Sequence, residues 1–171
     1  MSSGYVHVYT GNGKGKTTAA FGLAVRAALA GKKVYIGQFV KDMKYSETTV
    51  GEYIPNIVIE QLGLGCFIVE APKASDYQAA EAALEHCGQH LKSGAYDVVV
   101  LDEIHIALHY ALITVESVIE VLKSRAPHVE VITTGRYAPD ALIAYADLVT
   151  EMKVIKHYYE KGVLSRPGID C

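Results

Sequence analysis

The fold class is decided by Thr10-Gly11-Asn12-Gly13-Lys14-Gly15-Lys16-Thr17-Thr18, close to the start of the chain. The apolar run 5–9 before this stretch predicts a β-strand, and the alanine-rich run 19–30 after it predicts a helix. Glycines between a strand and a helix let backbone N–H groups approach phosphate oxygens, and the helix N-terminus adds positive potential. The stretch is therefore predicted to be a phosphate-binding loop, and all nine residues are assigned to nucleotide binding.

The loop departs from the common pattern G-x-x-x-x-G-K-[ST], because Thr10 stands where the first glycine is expected. The glycines that follow supply the flexibility instead. Lys16 is predicted to place its ammonium group on the phosphates, and Lys14 adds a second cation. The hydroxyl of Thr17 is predicted to ligate Mg²⁺.

The composition limits the classes of protein to consider. With 171 residues, the chain is predicted to be one domain, residues 1–171. Its net charge of −3 disfavours a nucleic-acid partner, and no apolar run is long enough to cross a membrane. A strand is predicted from Tyr5 onward, so a signal peptide is not expected. Cys66, Cys87 and Cys171 are scattered, which favours the cytoplasm over a disulfide framework or a zinc site.

Strands and helices alternate along the chain, which predicts an α/β fold with a mostly parallel central sheet of about six strands flanked by helices. Ligands of such sheets bind at the carboxyl ends of the strands. The predicted strands are 5–9, 34–40, 57–62, 98–101, 129–134 and 148–155. The predicted helices are 19–30, 74–91, 114–122, which Thr114 could cap, and a helix from about 139 to 145 with Pro139 in its first turn.

Asp102 and Glu103 follow the continuous apolar run 98–101, which is typical of a strand buried on both faces. Two carboxylates at the end of such a strand match the acidic motif that helps to hold Mg²⁺ in phosphate-loop nucleotidases. We therefore predict that both carboxylates and Thr17 form a metal site. The alternative is that Asp102 caps a following helix, and both roles can hold at once.

Several short motifs together resemble those of the ATP:corrinoid adenosyltransferases of cobalamin biosynthesis, of the phosphate-loop type. The resemblance covers nearly the whole chain and lies in the order and spacing of the motifs. They are TGNGKGKTTAAFG at 10–22, Gln38-Phe39, LDEI at 101–104, Thr134-Gly135-Arg136 with Ala138-Pro139, ADLVTEMK at 146–153, Lys156-His157 and Gly168-Ile169-Asp170. The resemblance implies a fold similar to that of the RecA-like P-loop NTPases.

The resemblance also implies the reaction. The 5′-deoxyadenosyl group of ATP is transferred to the Co(I) of a reduced corrinoid, cobalamin or cobyrinic acid a,c-diamide, and triphosphate is released. The resemblance further implies that the nucleotide lies reversed in the loop, so that the ribose faces the corrinoid. The implied catalytic residues are Lys16 and Glu103, with Glu103 the closer ligand of Mg²⁺ or Mn²⁺. The implied partners are a second copy of the chain in a homodimer and an electron-donor protein such as a flavodoxin or flavin reductase.

The residue chemistry agrees with this reaction, because a triphosphate leaving group develops negative charge that lysines, loop N–H groups and Mg²⁺ stabilise. The chain has four arginines, of which Arg26 and Arg136 are assigned to nucleotide binding. Phosphoryl-transfer enzymes often use arginines on the transferred group, so this composition disfavours the alternative of a small nucleotide kinase or nucleotidase. A non-catalytic nucleotide-dependent binding module is a third hypothesis.

The residues that face the corrinoid differ from those of well-known family members, in which a phenylalanine and a tryptophan after a glycine fill the lower face of the corrin ring. This chain has no tryptophan, and the matching stretch is Gly65-Cys66-Phe67-Ile68. Cys66, Phe67 and Ile68 are therefore assigned to this face. Alternatively, Phe67 replaces an aromatic in a register shifted by one, or Phe67 and Ile68 pack in the core. A thiol near cobalt could also act as a ligand.

Two pairs of histidines, His86 with His90 and His105 with His109, are spaced to share a helix face. Two ligands are too few for a tetrahedral zinc site. The sequence therefore favours surface or partly buried histidines at all four positions.

Overall fold

The sheet contains six strands, and all of its neighbouring strands pair in parallel. The structure is a computed structural model, and it describes residues 3–40, 46–64 and 71–170 of the chain. The strands are β1 Val6–Thr10, β2 Val34–Gln38, β3 Ile57–Gln61, β4 Val98–Asp102, β5 Glu130–Thr134 and β6 Leu148–Glu151. The helices are α1 Lys16–Leu29, α2 Val50–Tyr53, α3 Ala74–Ser93, α4 Ile104–His109, α5 Val115–Lys123 and α6 Asp140–Tyr145.

The strand order is β3-β2-β4-β5-β1-β6. The strand before the glycine loop, β1, and the strand that ends in Asp102, β4, therefore both lie next to β5. Because parallel strands end at the same edge of a sheet, the loop, Asp102 and the end of β5 meet there. The predicted α/β fold with a parallel sheet of six strands is confirmed.

Side chains of the sheet divide between two cores, one on each face. In β4, Val99 and Leu101 pack in the core under the helices that follow β3 and β4, whereas Val98 and Val100 pack under α1. Neighbouring residues of a strand point to opposite faces, so a strand covered by helices on both sides must be apolar throughout. This explains the continuous apolar run that precedes Asp102.

The first residues of three helices can be compared with the sequence predictions. The hydroxyl of Thr114 accepts a hydrogen bond from the N–H of Ser117 at 3.1 Å and caps α5 as predicted. Pro139 lies immediately before α6 rather than in its first turn. Helix α1 begins at Lys16, not at residue 19, because the loop passes directly into the helix. No helix among the described residues combines the length and the apolar character needed to cross a membrane.

Candidate active site

The glycine loop takes its shape from the chain that follows β6. The N–H of Gly13 donates to the carbonyl of Met152 at 2.6 Å, and the N–H of Met152 donates to the carbonyl of Thr10 at 2.9 Å. Gly11 has a φ of +97°. A Cβ on Gly11 would lie 2.5 Å from the carbonyl oxygen of Met152, so the close approach requires glycine there. The residues after β6 thus form one side of the phosphate loop.

Thr10, which replaces the usual first glycine, links the loop to the turn after β5. Its hydroxyl accepts a hydrogen bond from the N–H of Ala138 at 3.2 Å, and the residue is almost fully buried. Arg136 lies in the same turn and is exposed. Arg136 therefore belongs to the turn that contacts Thr10.

Lys16 lies inside the loop. Its ammonium group donates to the carbonyl of Gly11 at 2.7 Å and to the carbonyl of Gly13 at 2.8 Å, and 9% of the residue is exposed. These bonds hold the charge at the centre of the loop, at the N-terminus of α1, where the helix dipole adds to it. The geometry is suited to an anion with several oxygens.

Asp102 is fully buried and joins three elements of the sheet edge. Its Oδ1 accepts from the hydroxyl of Thr17 at 2.9 Å and from the hydroxyl of Thr134 at 2.7 Å. Its Oδ2 accepts from the side-chain amide of Gln38 at 3.0 Å. Hydrogen bonds to an ionised carboxylate offset the cost of burying its charge. The predicted proximity of Asp102 to Thr17 is thus present, and Asp102 does not cap α4, whose capping position is Glu103.

Glu103 has a left-handed backbone conformation, with a φ of 61°. Its N–H donates to the hydroxyl of Thr134 at 2.9 Å, which fixes the turn, and its side chain is partly exposed where that of Asp102 is buried. A non-glycine residue in this region stores backbone strain, which is common at functional sites. The turn leaves Glu103 more accessible than Asp102 to a ligand outside the sheet.

Gln38 and Thr134 are site residues that sequence reasoning did not assign. Both belong to motifs that support the family resemblance, but neither motif by itself indicates what the residue does in the site. In the sheet, Gln38 is the register partner of Asp102 on β2, and Thr134 ends the strand on its other side. The sequence signal that could have identified both residues is that each is a polar residue at the end of an apolar strand.

His105 and His109 do not share an environment, contrary to the expectation that both are surface or partly buried residues. His105 is fully buried, and its Nδ1 donates to the carbonyl of Gly135 at 3.0 Å while Nε2 lies 2.9 Å from the hydroxyl of Thr133. A Cβ on Gly135 would lie 2.7 Å from the Cβ of His105. Burial, against the opposing effect of the Gly135 carbonyl, lowers the pKa of His105 to about 4.

The lowered pKa of His105 predicts an acid-sensitive contribution to stability. The unfolded chain binds a proton at this residue below pH 6.5, whereas the folded chain does so only below about 4. The contribution of neutral His105 to the free energy of unfolding is complete above pH 6.5. It falls as the pH drops, by up to about 3 kcal/mol at pH 4. Urea unfolding of the native chain and of His105→Gln should therefore show a smaller pH dependence in the variant. The matched variant His109→Gln, at an exposed position, should keep the pH dependence of the native chain. An equal pH dependence of the free energy of unfolding in all three proteins would contradict the lowered pKa of His105.

Lys14 is held by the C-terminal part of the chain. Its ammonium group donates to the carboxylate of Asp170, to the carbonyl of Ile169 and, at 3.0 Å, to the hydroxyl of Tyr158. Arg166 also donates to Asp170, at 3.1 Å. The ammonium of Lys14, followed by the Tyr158 hydroxyl, lowers the pKa of Asp170. Lys14 therefore faces the C-terminal segment rather than the interior of the loop.

The remaining assigned residues lie apart from this cluster. Arg26 is exposed in the last turn of α1, ten residues beyond Lys16, which places it about 15 Å further along the helix axis. The structure does not bring Arg26 to the loop. Asn12 is exposed in the loop itself and Thr18 is exposed in the first turn of α1, whereas Cys66, Phe67 and Ile68 lie outside the described residues.

Comparison with known proteins gives a consistent result. The profile of the family described as ATP:corrinoid adenosyltransferase BtuR/CobO/CobP matches residues 2–171. A corrinoid adenosyltransferase from Sinorhizobium sp is 38% identical over 171 residues, which cover 98% of this chain and 80% of that protein. The corrinoid adenosyltransferase CobA of Salmonella typhimurium is 38% identical over 169 residues, covering 98% and 85%. The corrinoid adenosyltransferase of Pseudomonas aeruginosa is 32% identical over 169 residues, covering 98% and 83%.

Proposed function

The chain belongs to the ATP:corrinoid adenosyltransferase family, and from this premise we propose how its own residues serve the reaction. The enzyme transfers the 5′-deoxyadenosyl group of ATP to the Co(I) of a reduced corrinoid in adenosylcobalamin biosynthesis, and triphosphate is released. The electron pair of Co(I) forms the cobalt–carbon bond at C5′ while the bond from C5′ to the triphosphate oxygen breaks. The leaving triphosphate takes that bond's electron pair, so the protein needs neither a nucleophile nor a general base.

We propose that the glycine loop holds the triphosphate as the leaving group. Negative charge grows on the triphosphate oxygen as the carbon–oxygen bond breaks. Lys16 is the first residue of α1, and the loop carbonyls of Gly11 and Gly13 hold its ammonium inside the loop, where it can stabilise this charge. This role requires the ribose to point away from the loop, toward the corrinoid.

We propose that Thr17, Asp102 and Glu103 hold Mg²⁺ or Mn²⁺. The donor set fits such ions, since all three side chains offer oxygen atoms and Thr17 and Asp102 are already in contact at 2.9 Å. Glu103 is the proposed closer ligand, because its side chain is the more exposed of the two carboxylates. Asp102 would hold the hydroxyl of Thr17 in position. When bound, the ion neutralises phosphate charge.

Lys14 is proposed to exchange Asp170 for phosphate oxygens when ATP binds. If so, removing the competing carboxylate should help ATP: Asp170→Asn is expected to lower KM for ATP about two- to fivefold, within the range of an exposed ion pair. Lys14→Met should raise KM, with a smaller effect on kcat. Steady-state kinetics would measure both, with Glu116→Gln on α5 as the charge control. A higher KM in Asp170→Asn would instead mean that the contact with the C-terminal segment shapes the loop for binding.

The finer assignments rest on the resemblance. We propose that Arg136 contacts the nucleotide from the turn after β5, and that Cys66, Phe67 and Ile68 face the lower side of the corrin ring. We also propose that the enzyme acts in the cytoplasm as a homodimer, on cobalamin or cobyrinic acid a,c-diamide, and receives electrons from a flavodoxin or flavin reductase. For Arg26 no contact with the loop supports the assignment, and it stays a prediction.

The observation that supports the proposed roles best is the position of Lys16 inside the loop, next to the contact between Thr17 and Asp102 at the same sheet edge. Phosphorus NMR of the products tests it. With Mg-ATP and reduced corrinoid, we expect one triphosphate for each adenosyl group transferred, and no cleavage without the corrinoid. Release of ADP and phosphate without corrinoid would support the kinase or nucleotidase alternative instead.

A further inference from the structure

A cluster of three potential metal ligands lies far from the phosphate loop. Glu60 on β3 and His86 and His90 on α3 bring one ligand atom each to within 4.8 Å of one another. Strand β3 is separated from β1 by β2, β4 and β5, so four strand spacings, about 19 Å, lie between the two strands. Asp102 ends β4, which lies two strand spacings, about 10 Å, from β3. The cluster forms where β3 packs on α3, so it is separate from the carboxylates proposed to hold Mg²⁺.

The helix and the strand supply these ligands in complementary ways. His86 and His90 are four residues apart on α3, so their rings lie one above the other on one helix face. The sequence supplies only these two ligands locally. The packing of α3 on β3 adds the third, because Glu60 Oε2 lies 2.6 Å from Nε2 of His86.

The distances suit a tetrahedral ion. With zinc–nitrogen bonds of about 2.05 Å, neighbouring ligand atoms of a tetrahedral site lie about 3.3 Å apart. The Nε2 atoms of His86 and His90 are 3.3 Å apart. The contact between His86 and Glu60 is shorter and would open by roughly 0.7 Å when a metal replaces the shared proton.

The hydrogen-bonding pattern of the cluster also favours a cation. A single proton on Nε2 of His86 points to Glu60 at 2.6 Å, so it is not donated in line to the lone pair of His90 Nε2, 3.3 Å away. A proton on Nε2 of His90 serves His86 but leaves the His86 nitrogen facing a carboxylate oxygen. A metal ion would accept electron pairs from all three atoms at once.

A tyrosine hydroxyl behind Glu60 orients its carboxylate, and the cluster is open to solvent. The hydroxyl of Tyr35 donates to Oε2 of Glu60 at 2.6 Å and orients the carboxylate, as groups behind metal ligands commonly do. Some 41% of the His86 side chain and 43% of the Glu60 side chain are exposed, so an ion can reach them. Both line an open cleft of about 690 Å³ whose other walls include Leu62, Leu64, Ala79 and Ala83.

We propose that Glu60, His86 and His90 bind a divalent transition-metal ion of the zinc class, with a fourth coordination position open to the cleft. Imidazole and carboxylate ligands suit Zn²⁺ and Co²⁺, whereas Mg²⁺ prefers oxygen ligands. The bound ion cross-links the edge strand β3 to α3, and the cleft supplies water or a small anionic ligand to its open position.

Co²⁺ titration of the tag-free chain tests the site, with saturating Mg²⁺ present to occupy the oxygen ligands near Thr17. We expect one equivalent of Co²⁺ to produce the intense visible absorption of a four-coordinate ion, and Zn²⁺ to displace it. His90→Ala and Glu60→Gln should lose this signal. Tyr35→Phe, which keeps the ring and removes the hydroxyl, should weaken binding about 10- to 100-fold. His109→Ala, at an exposed histidine on α4, should bind as the native chain does.

Zn²⁺ should also raise the Tm of the native chain and of His109→Ala but not that of His90→Ala. Circular dichroism establishes that each variant is folded before its binding is compared, and Glu60→Gln preserves the size of the side chain. An absence of one-to-one binding by the native chain would overturn the proposal. So would binding that survives in both His90→Ala and Glu60→Gln, because the cluster would then be an ordinary ion pair between β3 and α3.

Discussion

Lys16→Ala is expected to slow adenosyl transfer about 10²- to 10³-fold, the loss typical when one group that stabilises developing negative charge is removed. The ammonium of Lys16 is held at the centre of the loop by the carbonyls of Gly11 and Gly13. In the proposed role, its charge acts where the triphosphate departs. The larger part of the effect should appear in kcat, because the charge on the leaving oxygen grows only as the bond breaks.

The matched control for this variant is Lys32→Ala, which removes an exposed lysine after α1. It should retain native kinetics. Lys16→Arg keeps the charge but replaces a compact ammonium by a planar fork, so we expect it to recover only part of the rate. A Lys16→Ala enzyme with native kcat, measured under saturating ATP and reduced corrinoid, would show that the loop does not act on the leaving group.

Asp102→Asn is expected to reduce kcat/KM by about 10²-fold or more and to raise the Mg²⁺ concentration needed for half-maximal rate. The substitution keeps the size of the side chain but removes the charge and places an amide where two hydroxyl donors meet. If the amide oxygen stays at the Thr17 and Thr134 hydroxyls, the new NH2 group faces the donating amide of Gln38; if the amide turns over, Thr17 loses its acceptor. Replacing one partner of a buried hydrogen-bonded charge costs about 1–3 kcal/mol or more, so a lower free energy of unfolding is expected as well.

A variant of Asp97 separates the loss of metal binding from the loss of stability. Asp97 precedes the same strand, β4, at the opposite edge of the sheet and accepts a hydrogen bond from the N–H of Lys33 at 2.8 Å. Asp97→Asn is expected to lose some stability without any change in the Mg²⁺ dependence. Mg²⁺ titrations of initial rate would distinguish the two variants. An unchanged Mg²⁺ dependence in Asp102→Asn would mean that Asp102 is only a structural residue.

The features of this molecule that depend on residues close together in the chain could be predicted from the sequence. The phosphate loop follows from a strand, glycines and a helix within twenty-five residues of one another. The position of Asp102 follows from an apolar run that is typical of a strand covered on both faces, as β4 is. These features also predicted the parallel sheet, because alternating strands and helices have few other ways to bury their apolar faces.

The features that sequence reasoning missed depend on distant pairs. Gln38 meets Asp102 through the register of β2 on β4, and Lys14 meets Asp170 across nearly the whole chain. Glu60 meets His86 only because α3 packs on the edge strand. Helix α4 has six residues, too few to show a periodic pattern, and so the burial of His105 within it gave no local signal.

The central claim is that this chain forms a cobalt–carbon bond from ATP, and one anaerobic experiment tests it most directly. The native chain is mixed with Mg-ATP and chemically reduced cob(I)alamin, and the absorption band of Co(I) is followed with time. We expect the band to disappear at a rate set by enzyme concentration, with light-sensitive adenosylcobalamin as the product. A band that persists, with cobalamin and equally with its a,c-diamide precursor, while ATP is cleaved without any corrinoid, would contradict the account.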